Sequence, residues 1–377
     1  MVGLLVHEWI ETHGGSENVF QEMANAFPDA DIQCLWNDAP ARFPDRNVRE
    51  TWLARTALRR NKAAALPFMP ATWARIDLKS YESVLVSSHL FAHHIGGSVL
   101  DADVVKYVYV HTPARYIWTP ELDPRGNGML ARLASRPLKS IDARRAAQGA
   151  RFAANSEYVR ERIRSAWDQD ARVIYPPVDV ERLHSVADWR DELEDVDQRR
   201  FSELPSEFLL GASRFVPYKR LDLVIAAGEA ARLPVVLAGS GPQLSELKAQ
   251  AEAATVPVYI VDRPSDALLY ALYQRAIAFV FPPVEDFGIM PVEAMSLGTP
   301  AIVGRVGGAR ESVEMLTGGV VVESFSANQI RSAVDAAAAL DMSDASKLAH
   351  HHFSSQSFKR SVLSWTAASR DLGDTHE

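Results

Sequence analysis

Short apolar runs recur along the whole chain, separated by longer stretches rich in Ala, Leu, Arg and Glu. The runs at 2–6, 32–35, 83–87, 104–111, 151–155 and 173–175 read as strands, and a second set follows at 208–212, 235–238, 258–261, 277–281, 301–303 and 320–321. Runs that are apolar at successive positions and bounded by turn residues suit parallel strands covered on both faces. Helical stretches such as 221–231 and 267–275 fill the gaps. Strands alternating with helices predict parallel sheets with right-handed crossovers, and two such sets predict two Rossmann-like domains. Tyr175-Pro176-Pro177-Val178-Asp179 is a stiff, extended linker. Domains are therefore expected at 1–178 and 179–352, with a helical segment over 353–377. The charged stretch 188–200 reads as a solvated insertion.

Composition narrows the class. The chain has 377 residues, 47% hydrophobic and 23% charged, which is a globular balance and enough length for two cores. A single cysteine, Cys34, rules out an intramolecular disulfide and fits a reducing compartment. No apolar run approaches the roughly 20 residues needed to cross a bilayer. The start, MVGLLVHEW, runs directly into a strand without a basic leader. The expected location is the cytoplasm. Charge is uneven: residues 1–178 hold 22 Lys+Arg against 20 Asp+Glu, and the remainder 18 against 28. Nothing in this favours a nucleic-acid partner.

The most informative run is FVFPPVEDFGIMPVEAMSLGTP, which ends one strand and opens a helix. Pro282 and Pro283 end the strand, and Pro291 suits a first helical turn because it has no N–H to lose. Glu285 is thus expected in the loop at the strand's carboxyl end and Glu293 in the first helical turn. Ligands of open α/β sheets bind at that edge, and free N–H groups at a helix N-terminus suit a phosphate. Two carboxylates flanking an anion site suggest a ligand with both phosphate and hydroxyls, such as a nucleotide sugar.

This run, with GGARES at 307–312, resembles the Glu-x7-Glu signature of retaining GT-B glycosyltransferases, in particular glycosyltransferase family four. The resemblance implies an α/β protein of GT-B architecture. It would have two Rossmann-like domains facing a central cleft, and a C-terminal helix crossing back to the first domain. GASRFVPYKR supplies Arg214 and Lys219, which resemble the family's Arg-x4-Lys grip on the donor diphosphate. LAGSGP at 237–242 reads equally as a plain strand–helix turn. The segment YIVDRP resembles the strand beside the nucleobase, but it departs from the family pattern, which has glycine near Asp262. His13-Gly14-Gly15-Ser16-Glu17 resembles the family's Gly-Gly-x-Glu loop, with Ser16 a candidate N-cap. His111 in YVHTPARYIW resembles the His-Thr-Pro-x-Arg-Tyr run of members using mannose-like donors.

By resemblance, Glu285 holds sugar hydroxyls, Glu293 the ribose, and Arg214 and Lys219 the diphosphate. Backbone N–H groups of Phe287, Gly288, Ile289 and Met290 face sugar and phosphate. His111 contacts the sugar near the reacting carbon, Gly14 and Gly15 approach the donor, and Arg263 lies beside the base. The donor would be GDP- or UDP-linked, and the acceptor a glycan, glycolipid or small molecule. Two other functions stay open: a nucleotide-sugar 2-epimerase of the same architecture, and a non-catalytic binder.

Asp-x-Asp triplets at Asp29/Asp31, Asp101/Asp103, Asp168/Asp170 and Asp195/Asp197 are the metal-type candidates. Three precede strands, at the edge opposite the site, and the fourth lies in the charged insertion. No essential metal or other cofactor is expected. Two basic, apolar stretches remain. Residues 49–75 hold six cations and one acid, and residues 125–151 seven and one. They read either as solvated faces or as peripheral contacts with the inner membrane face.

Overall fold

The computed structural model describes residues 2–97, 104–119 and 129–367. Asp101/Asp103, residues 125–128 and residues 368–377 lie outside them. The chain divides into two compact units, one of residues 1–177 with 355–377 and one of residues 178–354.

The first unit is built on seven strands: β1 (Leu4–His7), β2 (Asp31–Cys34), β3 (Val48–Glu50), β4 (Ser83–Ser88), β5 (Val105–Val110), β6 (Arg151–Ala154) and β7 (Ala171–Val173). Their order in the sheet is β3-β2-β1-β4-β5-β6-β7, with every pair parallel. Alternate residues feed opposite faces. Leu4, Val6, Val84, Val86, Val108 and Val110 join one core, while Leu5, Leu85, Tyr107 and Tyr109 join the other. That double covering is why the strands read as continuous apolar runs. β3 escapes the sequence reading for the opposite reason. Its residues Val-Arg-Glu are half-buried or exposed at the sheet edge, so backbone pairing and not apolar burial defines it. β7 lies two residues earlier than expected.

The helix Ser355–Ala367 belongs to this first unit. Phe358, Val362 and Trp365 enter the core beside Tyr107 and Tyr109, and Lys359 pairs with Glu22 at 3.0 Å. Phe353 is fully buried in the second unit, so the crossing begins at Ser355, slightly later than the sequence suggested.

The second unit has six strands: β8 (Leu209–Arg214), β9 (Val235–Ser240), β10 (Val258–Asp262), β11 (Ala278–Phe281), β12 (Ala301–Gly304) and β13 (Gly319–Val322). The order is β10-β9-β8-β11-β12-β13, again all parallel. Residues 188–200 are mostly exposed, as expected of a solvated stretch, but they are built into regular structure. They form a turn Trp189–Glu192 and the start of the helix Asp195–Ser202, anchored by buried Trp189 and Phe201.

The one acid of the basic stretch 125–151, Asp142, is fully buried in the first unit. Trp118 and Trp167 each donate an indole N–H to its Oδ2 at 2.7 Å, and His94 donates to Oδ1 at 2.9 Å. His93 Nε2 lies 3.1 Å from the same oxygen. Burial works to raise the Asp142 carboxyl, but the two histidines hold it well below its usual range. Burial pushes His94 down to about 4, so its ring is neutral. The acid therefore ties the helix Met129–Ala146 to residues of three other segments. Asp142→Asn puts an amide N–H₂ against these donors, and it is expected to cost on the order of 3 kcal/mol. Urea unfolding checks this; a midpoint near wild type refutes the role.

Candidate functional site

The expected residues fall into two groups, one in each unit. In the second unit the strand order reverses between β8 and β11, and ligands of open sheets bind outside the carboxyl ends at such a reversal. Arg214 is the last residue of β8 and is exposed. The chain turns through Pro217–Lys219, helped by Arg220 at φ 51°. Lys219 Nζ then lies 2.6 Å from Glu285 Oε1, with side chains only 12% and 19% exposed. Arg214 instead donates to the Tyr218 hydroxyl at 2.8 Å.

Glycines make this arrangement sterically allowed. At Gly239, φ is 146° and a Cβ would stand 1.8 Å from the Ser213 carbonyl oxygen. At Gly241, φ is 153° and a Cβ would stand 2.5 Å from the Phe215 oxygen. LAGSGP is thus a close backbone approach that supports the segment carrying Arg214. The pair in GGARES does the same for Glu285. The Gly308 N–H donates to the Glu285 carbonyl at 2.8 Å, and a Cβ on Gly308 would stand 2.1 Å from the Asp286 oxygen.

Beyond Glu285 the chain passes Gly288, at φ 90°, into the helix Ile289–Ser296. The Phe287 side chain is buried against Phe353, so what it can offer a ligand is backbone. Ile289 and Met290 are half-buried at the helix start. Glu293 lies in the second helical turn and not the first, because the helix begins only at Ile289. Burial pushes its carboxyl up to about 7; Asp266 adds to this, and the Tyr273 hydroxyl and Arg182 oppose it. Arg263 has φ 49°, a left-handed conformation that glycine adopts without strain, and its N–H donates to the Gly239 carbonyl at 2.8 Å.

In the first unit the reversal falls between β1 and β4, where His7 pairs in register with Ser87. Gly14 caps the helix Gly15–Ala26, and Gly15 opens it. Ser16 is therefore not the N-cap; its hydroxyl donates to Glu17 Oε2 at 2.8 Å. A Cβ on Gly14 would stand 1.9 Å from that same oxygen, so a larger residue there would displace the Glu17 carboxylate. His111 follows β5, and its Nε2 lies 2.8 Å from Ser87 Oγ. His7 Nδ1 lies 3.0 Å from that hydroxyl on the other side.

Three neighbours of His111 were not singled out from the sequence: His7, Glu8 and His89. His7 and Glu8 are fully buried, and His89 is half-buried. Burial, helped by His111, pushes His89 down to about 3. Burial pushes Glu8 up to about 7, opposed by the backbone N–H groups of residues 89–92. Their signal was available: His7 ends β1, Glu8 directly follows it, and His89 directly follows β4, the two strands that flank the reversal.

Among the Asp-x-Asp triplets, Asp31 is held by Tyr81 and Arg49, Asp170 by Arg160 and Arg164, and Asp197 by Arg200.

Comparison with known proteins fits this geometry. Residues 13–182 match the model "Glycosyltransferase Family 4", and residues 194–351 match "Glycosyl transferases group 1". A GDP-mannose-dependent alpha-(1-6)-phosphatidylinositol monomannoside mannosyltransferase of Mycobacterium tuberculosis is 32% identical over 196 residues, 48% of this chain and 50% of that protein. The D-rhamnosyltransferase WbpZ of Pseudomonas aeruginosa is 32% identical over 188 residues, 46% of this chain and 44% of that protein. The matches thus span about half the length of these relatives. The solved structure of Anabaena Alr3699/HepE in complex with UDP covers 98% of this chain and all of its own, with a TM-score of 0.72 at 16% identity. Its likeness extends over both units, each a Rossmann-like parallel sheet. With one family model on each unit, the chain belongs to the glycosyltransferases of family 4, group 1, of GT-B architecture.

Proposed function

We propose that this chain is a retaining, metal-independent hexosyltransferase. It would move a mannose-like sugar from a GDP- or UDP-linked donor to a glycan, glycolipid or small-molecule acceptor. The observation that carries this reading is the Lys219–Glu285 pair at the reversal point of the second sheet. A cation for the leaving phosphate and a carboxylate for sugar hydroxyls stand within one hydrogen bond of each other, as a linked sugar and diphosphate require. The relative from M. tuberculosis bears GDP-mannose in its name, which supports the choice of sugar.

In this reading Arg214 and Lys219 neutralise the diphosphate, backbone N–H groups of Phe287 to Met290 meet sugar and phosphate, and Glu293 accepts from the ribose. Gly14 and Gly15 let backbone approach the donor, and Arg263 lies beside the base. His111, its ring fixed by Ser87, meets the sugar. The acceptor oxygen bonds to the anomeric carbon as the bond to the diphosphate breaks, and the acceptor proton passes to the departing phosphate oxygen. The protein contributes placement and charge.

No described helix is long and apolar enough to cross a membrane. Residues 49–75 nevertheless expose Trp52 and Phe68, whose rings meet edge-on at 6.2 Å, beside Arg55, Arg59, Arg60 and Lys62. We assign this face to peripheral contact with an anionic membrane surface on the cytoplasmic side. Vesicles rich in anionic lipid should sediment the protein. The double variant Trp52→Ala/Phe68→Ala should sediment markedly less; equal sedimentation removes the assignment.

The central test is a set of variants. Lys219→Ala should lower kcat by about 100-fold or more, the scale for one stabiliser of developing charge. Combining it with Glu285→Gln should cost less than the sum, because the two side chains share one ion pair. Glu285→Gln should reduce kcat with nucleoside diphosphate affinity nearly kept, while Glu293→Gln should mainly weaken that affinity. Glu293 also sets a pH dependence. Its folded value of about 7 lies above the ordinary 4.5, so it is protonated and a poorer acceptor below about pH 7. Wild-type affinity should rise with pH through that value relative to Glu293→Gln. Calorimetry across pH, together with initial rates, decides; equal loss of nucleotide affinity in both glutamate variants overturns the assigned roles.

The role given to the two cations also makes Mg²⁺ and Mn²⁺ dispensable. After EDTA treatment, adding either ion should leave kcat/KM unchanged. A tenfold or greater rise (about 1.4 kcal/mol) would mean that a cation shares the diphosphate.

A further inference from the structure

Buried polar atoms are almost always paired, so a cluster of unpaired ones calls for a ligand. In the first unit His7 Nε2, Glu8 Oε2 and His89 Nδ1 are each buried without a hydrogen-bond partner. The same three side chains bring ligand atoms within 4.8 Å of one another. They come from the carboxyl ends of β1 and β4, the two strands flanking the sheet's reversal.

Each side chain is already held from behind. His7 presents Nδ1 to the Ser87 carbonyl at 3.3 Å and to its hydroxyl at 3.0 Å. With that N–H donated, Nε2 carries the lone pair. A metal-ligating imidazole is oriented in this way, its second nitrogen on a carbonyl or hydroxyl. Glu8 Oε1 accepts from the Leu90 and Ala92 N–H groups at 2.7 and 2.9 Å, which leaves Oε2 for a single further bond. Among the described residues no cation pairs with Glu8 at ion-pair distance, although its side chain is fully buried, and an isolated buried carboxylate is costly. A divalent ion removes that cost.

We infer that His7, Glu8 and His89 form a binding site for a divalent ion of the zinc type, with three protein ligands and one open position. Two imidazoles and one carboxylate match the ligand preference of zinc, at bond lengths of about 2.0–2.2 Å. Magnesium prefers an all-oxygen set, so this site is chemically distinct from a diphosphate-bound cation. The other histidine–acid cluster, His93, His94 and Asp142, is a poorer candidate, because its carboxylate is saturated by indole and imidazole donors.

The test uses the full chain without an affinity tag. Zn²⁺ is titrated in competition with a chromophoric chelator, and Co²⁺ is added to the metal-free protein to read its visible absorption. One equivalent of Zn²⁺ is expected, with the strong d–d bands of four-coordinate cobalt. His89→Ala should weaken binding by about 100-fold or more, as should Glu8→Gln. Glu8 also anchors the loop at 90–92, so circular-dichroism melts accompany it; where it unfolds, the half-buried His89 is the deciding position, with His89→Gln as its second variant. The run His350-His351-His352, exposed at its first two positions, is the obvious competitor. Replacing all three by alanine should leave the affinity unchanged. The inference is overturned by the absence of stoichiometric binding at micromolar Zn²⁺. It is equally overturned by binding that survives His89→Ala, or that disappears with the 350–352 triple variant. None of these readouts depends on glycosyl transfer, so this inference and the proposed activity stand or fall separately.

Discussion

A parallel strand covered on both faces can carry polar chemistry only at its ends. That constraint organises both units. Leu5, Val6, Val84 and Leu85 lie in the apolar middles of β1 and β4, and His7, Ser87 and Ser88 stand at the carboxyl ends of the same strands. In the second unit β8 runs apolar from Leu209 and becomes polar at Ser213 and Arg214, while β11 is apolar throughout and yields Glu285 only after two prolines. Where strand order reverses, the helices diverge and leave these ends uncovered. The candidate groups stand at the carboxyl ends of strands whose middles are apolar and covered.

Such ends still have to be brought close, and the backbone limits how close. Gly239, Gly241, Gly307 and Gly308 each stand where a Cβ would meet another segment's backbone at 3.0 Å or less. Two of them support the segment bearing Arg214 and two the loop bearing Glu285. The Lys219–Glu285 pair is therefore held by main chain as much as by its own charge. Arg263 shows the alternative: where the chain lacks the glycine, it keeps the left-handed turn and accepts the strain.

These origins explain what was legible in the sequence. Strands buried on both faces announce themselves, and so do residues at or shortly beyond their carboxyl ends, such as Arg214, Glu285 and His111. β3 has no apolar signature, because it is an edge held by backbone pairing to β2. Asp142 looked like one acid among seven cations, and only the packing of Trp118 and Trp167 shows that it is the buried anchor of its helix. His7, Glu8 and His89 were hidden differently. His89 lies 82 residues beyond His7 in the chain, and it meets the His7-Glu8 pair only through the pairing of β1 with β4, a crossover that no local pattern reports.

The pairing of Lys219 with Glu285 changes what either residue can be said to contribute. Their side chains are largely screened from water, so neither charge is cheaply left alone. A ligand bearing a phosphate and hydroxyls can take both partners at once, replacing one ion pair by two complementary contacts. A ligand with phosphate alone takes Lys219 and leaves the carboxylate of Glu285 facing a second anion. In the proposed reaction the pair would thus meet both of its contacts only on a phosphate that carries its sugar. In that reaction, product diphosphate would then be held less firmly than donor at this point, which would assist its departure once the sugar has gone.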